Sequence, residues 1–128
     1  MKSLFTLLFS IVLSIAAFSQ IQHPDNFFPE KLGDHFYPHH LIIDYFQHVA
    51  DNSDQVQLVE YGRTNQNRPF VLAYISSAEN IKNLEAIRTN NLKRTGLVEG
   101  SAAGEEKAIV WLSFAVHGNE ASSPNAAV

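Results

Sequence analysis

Residues 108–122 read AIVWLSFAVHGNEAS, and this stretch decides the fold. From Ala108 to Val116 almost no position is polar. Ile109, Val110, Trp111, Leu112, Phe114 and Val116 leave only Ser113 to break the apolar run. A continuous apolar run rich in β-branched and aromatic residues is the pattern of a strand covered on both faces. The run predicts a strand in the middle of a sheet. It then stops at once on His117-Gly118-Asn119-Glu120, a turn-forming pair flanked by two metal-competent side chains. In open α/β folds functional groups gather where strands end and loops begin.

Downstream, Ser122 or Ser123 is placed to cap a helix with Pro124 at its first position, and the sequence stops at Val128 about one turn later. Upstream, Leu97 to Glu106, with Gly96, Gly100 and Gly104 in or beside it, predicts an exposed loop. Ser76 and Glu79 have capping-box spacing, and Ile81, Leu84 and Ile87 continue a helical stripe. Phe70 to Ile75 is another continuous apolar run, expected as a strand buried on both faces, and Gly62 to Pro69 is turn-like. Val56 to Tyr61 alternates as a strand. Leu41, Ile42, Tyr45, Phe46 and Val49 mark one face of a helix that starts at Pro38 and ends near Asn52-Ser53. Gln20 to Pro38 has no clear period and reads as an irregular lead-in that packs Phe27, Phe28 and Phe36 onto something larger. The order helix, strand, strand, helix, strand, helix predicts an α/β layer fold.

The first residues carry a targeting pattern. Lys2 gives a positive start, Leu4 to Phe18 is apolar apart from Thr6, Ser10 and Ser14, and Ala17-Phe18-Ser19 offers small residues for cleavage before Gln20. Residues 1–19 are expected to be a signal peptide and 20–128 the mature portion, secreted or periplasmic. The apolar run is shorter than the ~20 residues needed to span a bilayer, so no stable membrane anchor is expected after cleavage. With no cysteine, disulfides, thiol chemistry and a lipidated cysteine are all excluded. The formal net charge is −4, and loss of Lys2 would take it to −5. That balance gives no electrostatic reason to expect nucleic acid or an anionic membrane as a partner.

The candidate chemistry lies in His117 and Glu120. Three residues apart across a Gly-Asn turn, they can converge on one cation, and imidazole nitrogen and carboxylate oxygen are ordinary zinc ligands at about 2.0–2.2 Å. A catalytic zinc site typically takes three protein ligands and leaves one position open, so the motif supplies two of three. By spacing alone, a strand-end histidine bonded to backbone beside a solvated glutamate accounts for the same residues. The remaining histidines offer less: His39, His40 and His48 have no acidic partner at ligand spacing to both His40 and His48 and read as surface or packing groups, and His23 and His35 read as loop residues. Asn119 reads as a turn former or a substrate contact. Arg63 and Arg68 read as structural or solvated cations, and Trp111 as core.

Wider context adds to the motif. The segment Trp111 to Ser122 resembles the zinc-ligand region of the zinc carboxypeptidase family, the carboxypeptidase A-like and B-like metallopeptidases, in which a buried strand ends in a His-x-x-Glu pair and a helix follows. Tyr61 to Pro69 looks like that family's Gly-x-Ser/Thr-x-x-Gly-Arg-Pro turn, and Ser76 to Asn80 like the stretch after its second strand. Asn67 stands where glycine is usual, and asparagine tolerates positive φ better than most residues.

The resemblance implies a fold, the amino-terminal part of a mixed central sheet flanked by helices, truncated. It implies one Zn2+ held by His117, Glu120 and a later histidine, and a later glutamate as general base. It implies a carboxypeptidase acting on peptide or protein substrates, the 128-residue form being inactive alone. Two rival readings keep much of the same fold: a zinc deacylase of the aspartoacylase and succinylglutamate desuccinylase type, which also uses a His-Gly-x-x-Glu-like pair, and an exported binding domain without catalysis.

Overall fold

The computed structural model describes residues 20–128; the signal-peptide reading falls on residues 1–19 and lies outside them. Helix α1 (Pro24–Phe27) opens the lead-in, with His23 at its N-cap accepting a hydrogen bond from the Asp25 N–H. Helix α2 (His39–Asp51) follows, with Pro38 at the N-cap rather than in the first turn. Proline suits either place, because the first-turn N–H groups have no intrahelical partner.

Strands β1 (Val56–Arg63) and β2 (Pro69–Ile75) form an antiparallel hairpin. Its register runs from Val56 opposite Ile75 to Arg63 opposite Pro69, with a bulge between Glu60 and Gly62. The connecting turn is built as the residue types require. Asn67 takes φ 60°, the left-handed conformation expected of it. Thr64 Oγ1 accepts from the N–H groups of Gln66 and Arg68, at 3.2 and 3.1 Å, and so satisfies donors that the turn leaves unpaired. The Arg63 guanidinium spans the turn to the Asn67 carbonyl at 3.0 Å and pairs with Glu60 at 2.9 Å. It is a structural cation here.

Helices α3 (Ala78–Lys82) and α4 (Leu84–Arg94) succeed the hairpin. The expected single helix breaks at Asn83, which ends α3 and precedes α4. The cap also differs by one residue from the Ser76–Glu79 box. Ser77 is the N-cap, its hydroxyl accepting from the Asn80 N–H, while Ser76 Oγ holds the Asn80 side chain at 2.9 Å. After α4 the chain enters the expected exposed loop, with Gly96, Gly100 and Gly104 at φ 73°, 107° and 78°. The loop folds back on α4 through Arg94 to the Gly104 carbonyl and Asn90 Oδ1 to the Ala103 N–H. Helix α5 (Ser122–Ala126) closes the described chain. Its N-cap is Ala121, so Ser122 lies inside the helix and Pro124 sits one position beyond Ser123. Within the first turn a proline forfeits no helical hydrogen bond.

The core is aromatic and lies between the lead-in and α2. Phe28, Tyr37, Ile42 and Tyr45 are buried, with Phe27, Leu41, Phe46, Val49 and Val128 packed against them. Phe28 stacks on Tyr37 with ring centroids 4.0 Å apart, and Phe27 meets Tyr45 edge to face at 5.1 Å. Backbone joins this packing, for the Gln22 N–H donates to His48 Nε2 at 3.0 Å and the Tyr45 hydroxyl donates to the Gln22 carbonyl at 3.2 Å. His48 is therefore a packing residue. Burial pushes the Tyr37 and Tyr45 phenols above their ordinary value, and the carboxylates of Glu30, Asp25 and Asp34 add to the rise at Tyr37. Phe36, expected in this packing, is exposed.

The largest departure is the apolar run itself. Ala108 to Val116 forms no strand, and among the described residues the sheet has only β1 and β2. Trp111, expected as core, is 69% exposed, and Phe70, Tyr74 and Ile75 of β2 are also exposed. A strand covered on both faces needs neighbours for its backbone and layers for its side chains. Neither lies alongside this run. The fold class stands as α/β: a hairpin with helices α2 and α3 against β1.

Candidate metal centre

The turn carrying His117 and Glu120 is built locally. The Glu120 N–H donates to the His117 carbonyl at 3.1 Å, which closes a tight turn with Gly118 and Asn119 at its centre. Helix α5 follows directly, its Ser123 N–H donating to the Glu120 carbonyl at 3.2 Å. Just before the motif Ala115 takes φ 56°. For a residue with a Cβ that conformation costs about 1–2 kcal/mol, so the chain bends sharply as it enters the site.

The turn brings the two side chains together. His117 Nδ1 lies 2.9 Å from Glu120 Oε1, and the His117 N–H donates to Glu120 Oε2 at 3.4 Å. Both side chains are well exposed, which limits the worth of their direct attraction to at most about 1 kcal/mol. Two ligands about 2.1 Å from a tetrahedral ion stand about 3.4 Å apart. A separation of 2.9 Å therefore needs to open by only about half an ångström, an adjustment two exposed side chains can make by rotation. The donor set, one imidazole nitrogen and one carboxylate, fits zinc. Among the described residues, no group of three His, Cys, Asp or Glu side chains is placed to hold a metal, so the pair stands as two donors. The position at the end of a central strand, read from the sequence, is not found, since the residues before His117 are not in a sheet.

A family model, zinc carboxypeptidase, matches residues 42–128. The chain belongs to the zinc carboxypeptidase family. That is a family of zinc-dependent hydrolases, and the matched span holds α2 from Ile42 onward, the hairpin, both following helices and the whole His117–Glu120 turn. Comparison with curated proteins and with solved structures gives no match. The span begins at Ile42, so the lead-in that covers α2 lies outside it.

One residue of this region was not legible beforehand. Asn125 of α5 accepts from the Tyr37 N–H through Oδ1 at 3.4 Å and donates from Nδ2 to the His35 carbonyl at 2.6 Å. Its partners lie 88 and 90 residues away in sequence, and no local pattern marks such a contact.

Proposed function

We propose that the chain contributes two of the protein ligands of a catalytic zinc ion, His117 and Glu120, in an exported metallocarboxypeptidase that removes carboxyl-terminal residues from peptides or proteins. The observation that carries the ligand reading is the convergence of His117 Nδ1 and Glu120 Oε1 to 2.9 Å across a two-residue turn, inside the span that matches the family. A third protein ligand has to come from outside the described residues. Zinc in a site of this kind supplies Lewis acidity toward a carbonyl and acidifies water. The part of this chain is to hold and orient. Glu120, fixed through its own N–H to the His117 carbonyl, presents one carboxylate oxygen beside Nδ1. A nitrogen that holds a metal carries no proton, so metal binding through Nδ1 requires the ring tautomer with that nitrogen bare.

Export is supported by the sequence pattern of residues 1–19. Among the described residues no helix is long and apolar enough to cross a membrane.

The test is metal content and activity of the complete protein. His117→Ala and Glu120→Ala should each remove most bound zinc and most release of carboxyl-terminal amino acids from a peptide. Stoichiometric zinc in either variant, by elemental analysis, overturns the ligand assignment. Turnover of N-acetylaspartate in place of a peptide would move the activity to the deacylase class.

A further inference from the structure

We propose that Asn125 is a positioning residue that clamps the metal-binding turn onto the lead-in. The inference rests on reading His117 and Glu120 as the metal pair. A side-chain carboxamide offers one acceptor and one donor in the arrangement of a peptide group. Asn125 uses both on backbone, taking the Tyr37 N–H and giving to the His35 carbonyl, as a neighbouring strand would. The lead-in at that point is itself held. The Tyr37 ring is buried and stacked on Phe28, and its hydroxyl donates to the Glu30 carbonyl. At the other end, α5 begins two residues after Glu120, and Val128 beyond it packs on the same aromatic core. Little chain lies between the clamp and the ligands to absorb a shift. On the upstream side residues 108–116 form no strand. The carboxamide of Asn125 and the packing of Val128 thus fix where His117 and Glu120 stand relative to the folded core.

The experiment uses the full chain, metal-free, followed by 15N relaxation. In Asn125→Ala the backbone order parameters of Gly118, Asn119 and Glu120 should fall below about 0.6, while those of α2 and β1 stay near about 0.85. Zn2+ affinity, measured by competition with a chromophoric chelator, should weaken about tenfold, the scale of losing a partner that orients ligands. Val49→Ala, which opens the same core and leaves both hydrogen bonds of the Asn125 carboxamide in place, serves as the control for lost stability. It should leave both the order parameters and the zinc affinity within twofold. Unchanged order parameters in Asn125→Ala overturn the proposal. So does an equal loss of order and of affinity in Val49→Ala. If His117→Ala retains zinc, the ligand reading fails by itself, and the order parameters still decide the clamp.

Discussion

Two apolar stretches of this chain have opposite fates. The lead-in with α2 places Phe28, Tyr37, Ile42 and Tyr45 in a buried aromatic core. The run Ile109 to Val116 has at least as strong an apolar sequence, yet Val110, Leu112 and Val116 are more than 70% exposed. The difference teaches that side-chain hydrophobicity is not sufficient for burial. In the first region the backbone finds partners. Helix α2 pairs its interior N–H and C=O groups within itself, and the irregular lead-in is met by side chains: His48 and Tyr45 on Gln22, Asp25 on the Leu32 N–H, Asn125 on residues 35 and 37. In the second region the backbone has no ladder beside it, and a buried unpaired peptide group costs about 1–3 kcal/mol. The run stays at the surface.

The comparison can be broken by substitution. Phe28→Ala should destabilise the fold most, by about 3–5 kcal/mol, because it removes a ring at the centre of the core. Chemical denaturation followed by circular dichroism measures it, and a cost below 1 kcal/mol would mean that the aromatic core is not the stabilising region. Tyr45→Phe keeps the ring and removes the bond to the Gln22 carbonyl, so about 0.5–1.5 kcal/mol should be lost.

A smaller effect follows from pH. The Tyr37 and Tyr45 phenols ionise above their ordinary value in the folded chain, so the unfolded chain loses those protons first. Stability from this source is fully present below pH about 10 and falls as pH rises through the folded values. Thermal midpoints recorded from pH 8 to 11 should decline more in the wild type than in a Tyr37→Phe, Tyr45→Phe double variant. Equal slopes would show that the phenols are not desolvated.

The smallest effect is expected at the exposed run. Trp111→Ser should change stability by no more than about 0.5 kcal/mol. Trp111 is the single tryptophan, so its fluorescence reports on this run alone. Emission of a water-exposed indole, freely quenched by acrylamide, is expected. A shielded indole would show that the run is covered in solution, which removes the contrast between the two regions. The exposed run is also the segment through which copies of the chain would associate, since an uncovered apolar β-prone segment is an aggregation hazard.

The site was partly legible in advance. The Gly118-Asn119 pair predicted a turn that brings positions 117 and 120 together, and the side chains do meet at 2.9 Å. What could not be read was the setting. The motif does not lie at the end of a central strand, and Asn125, which ties the following helix to the lead-in, carries no sequence signature.

The sequence by itself determined the local elements: the apolar spacing of α2, the hairpin with Thr64 and Asn67 at the positions its turn requires, the glycine loop after α4, and the turn at 117–120. Each follows from forces that act within a few residues, namely φ preference, side chains that cap nearby N–H groups, and the period of an apolar face. Only the tertiary structure decided which apolar residues are covered. Phe28 is inside while Phe36 and Trp111 are outside, and two serines compete to cap α3 with Ser77 chosen over Ser76. Burial depends on groups distant in sequence arriving together with their backbone hydrogen bonds satisfied, and the composition of a single segment does not carry that information.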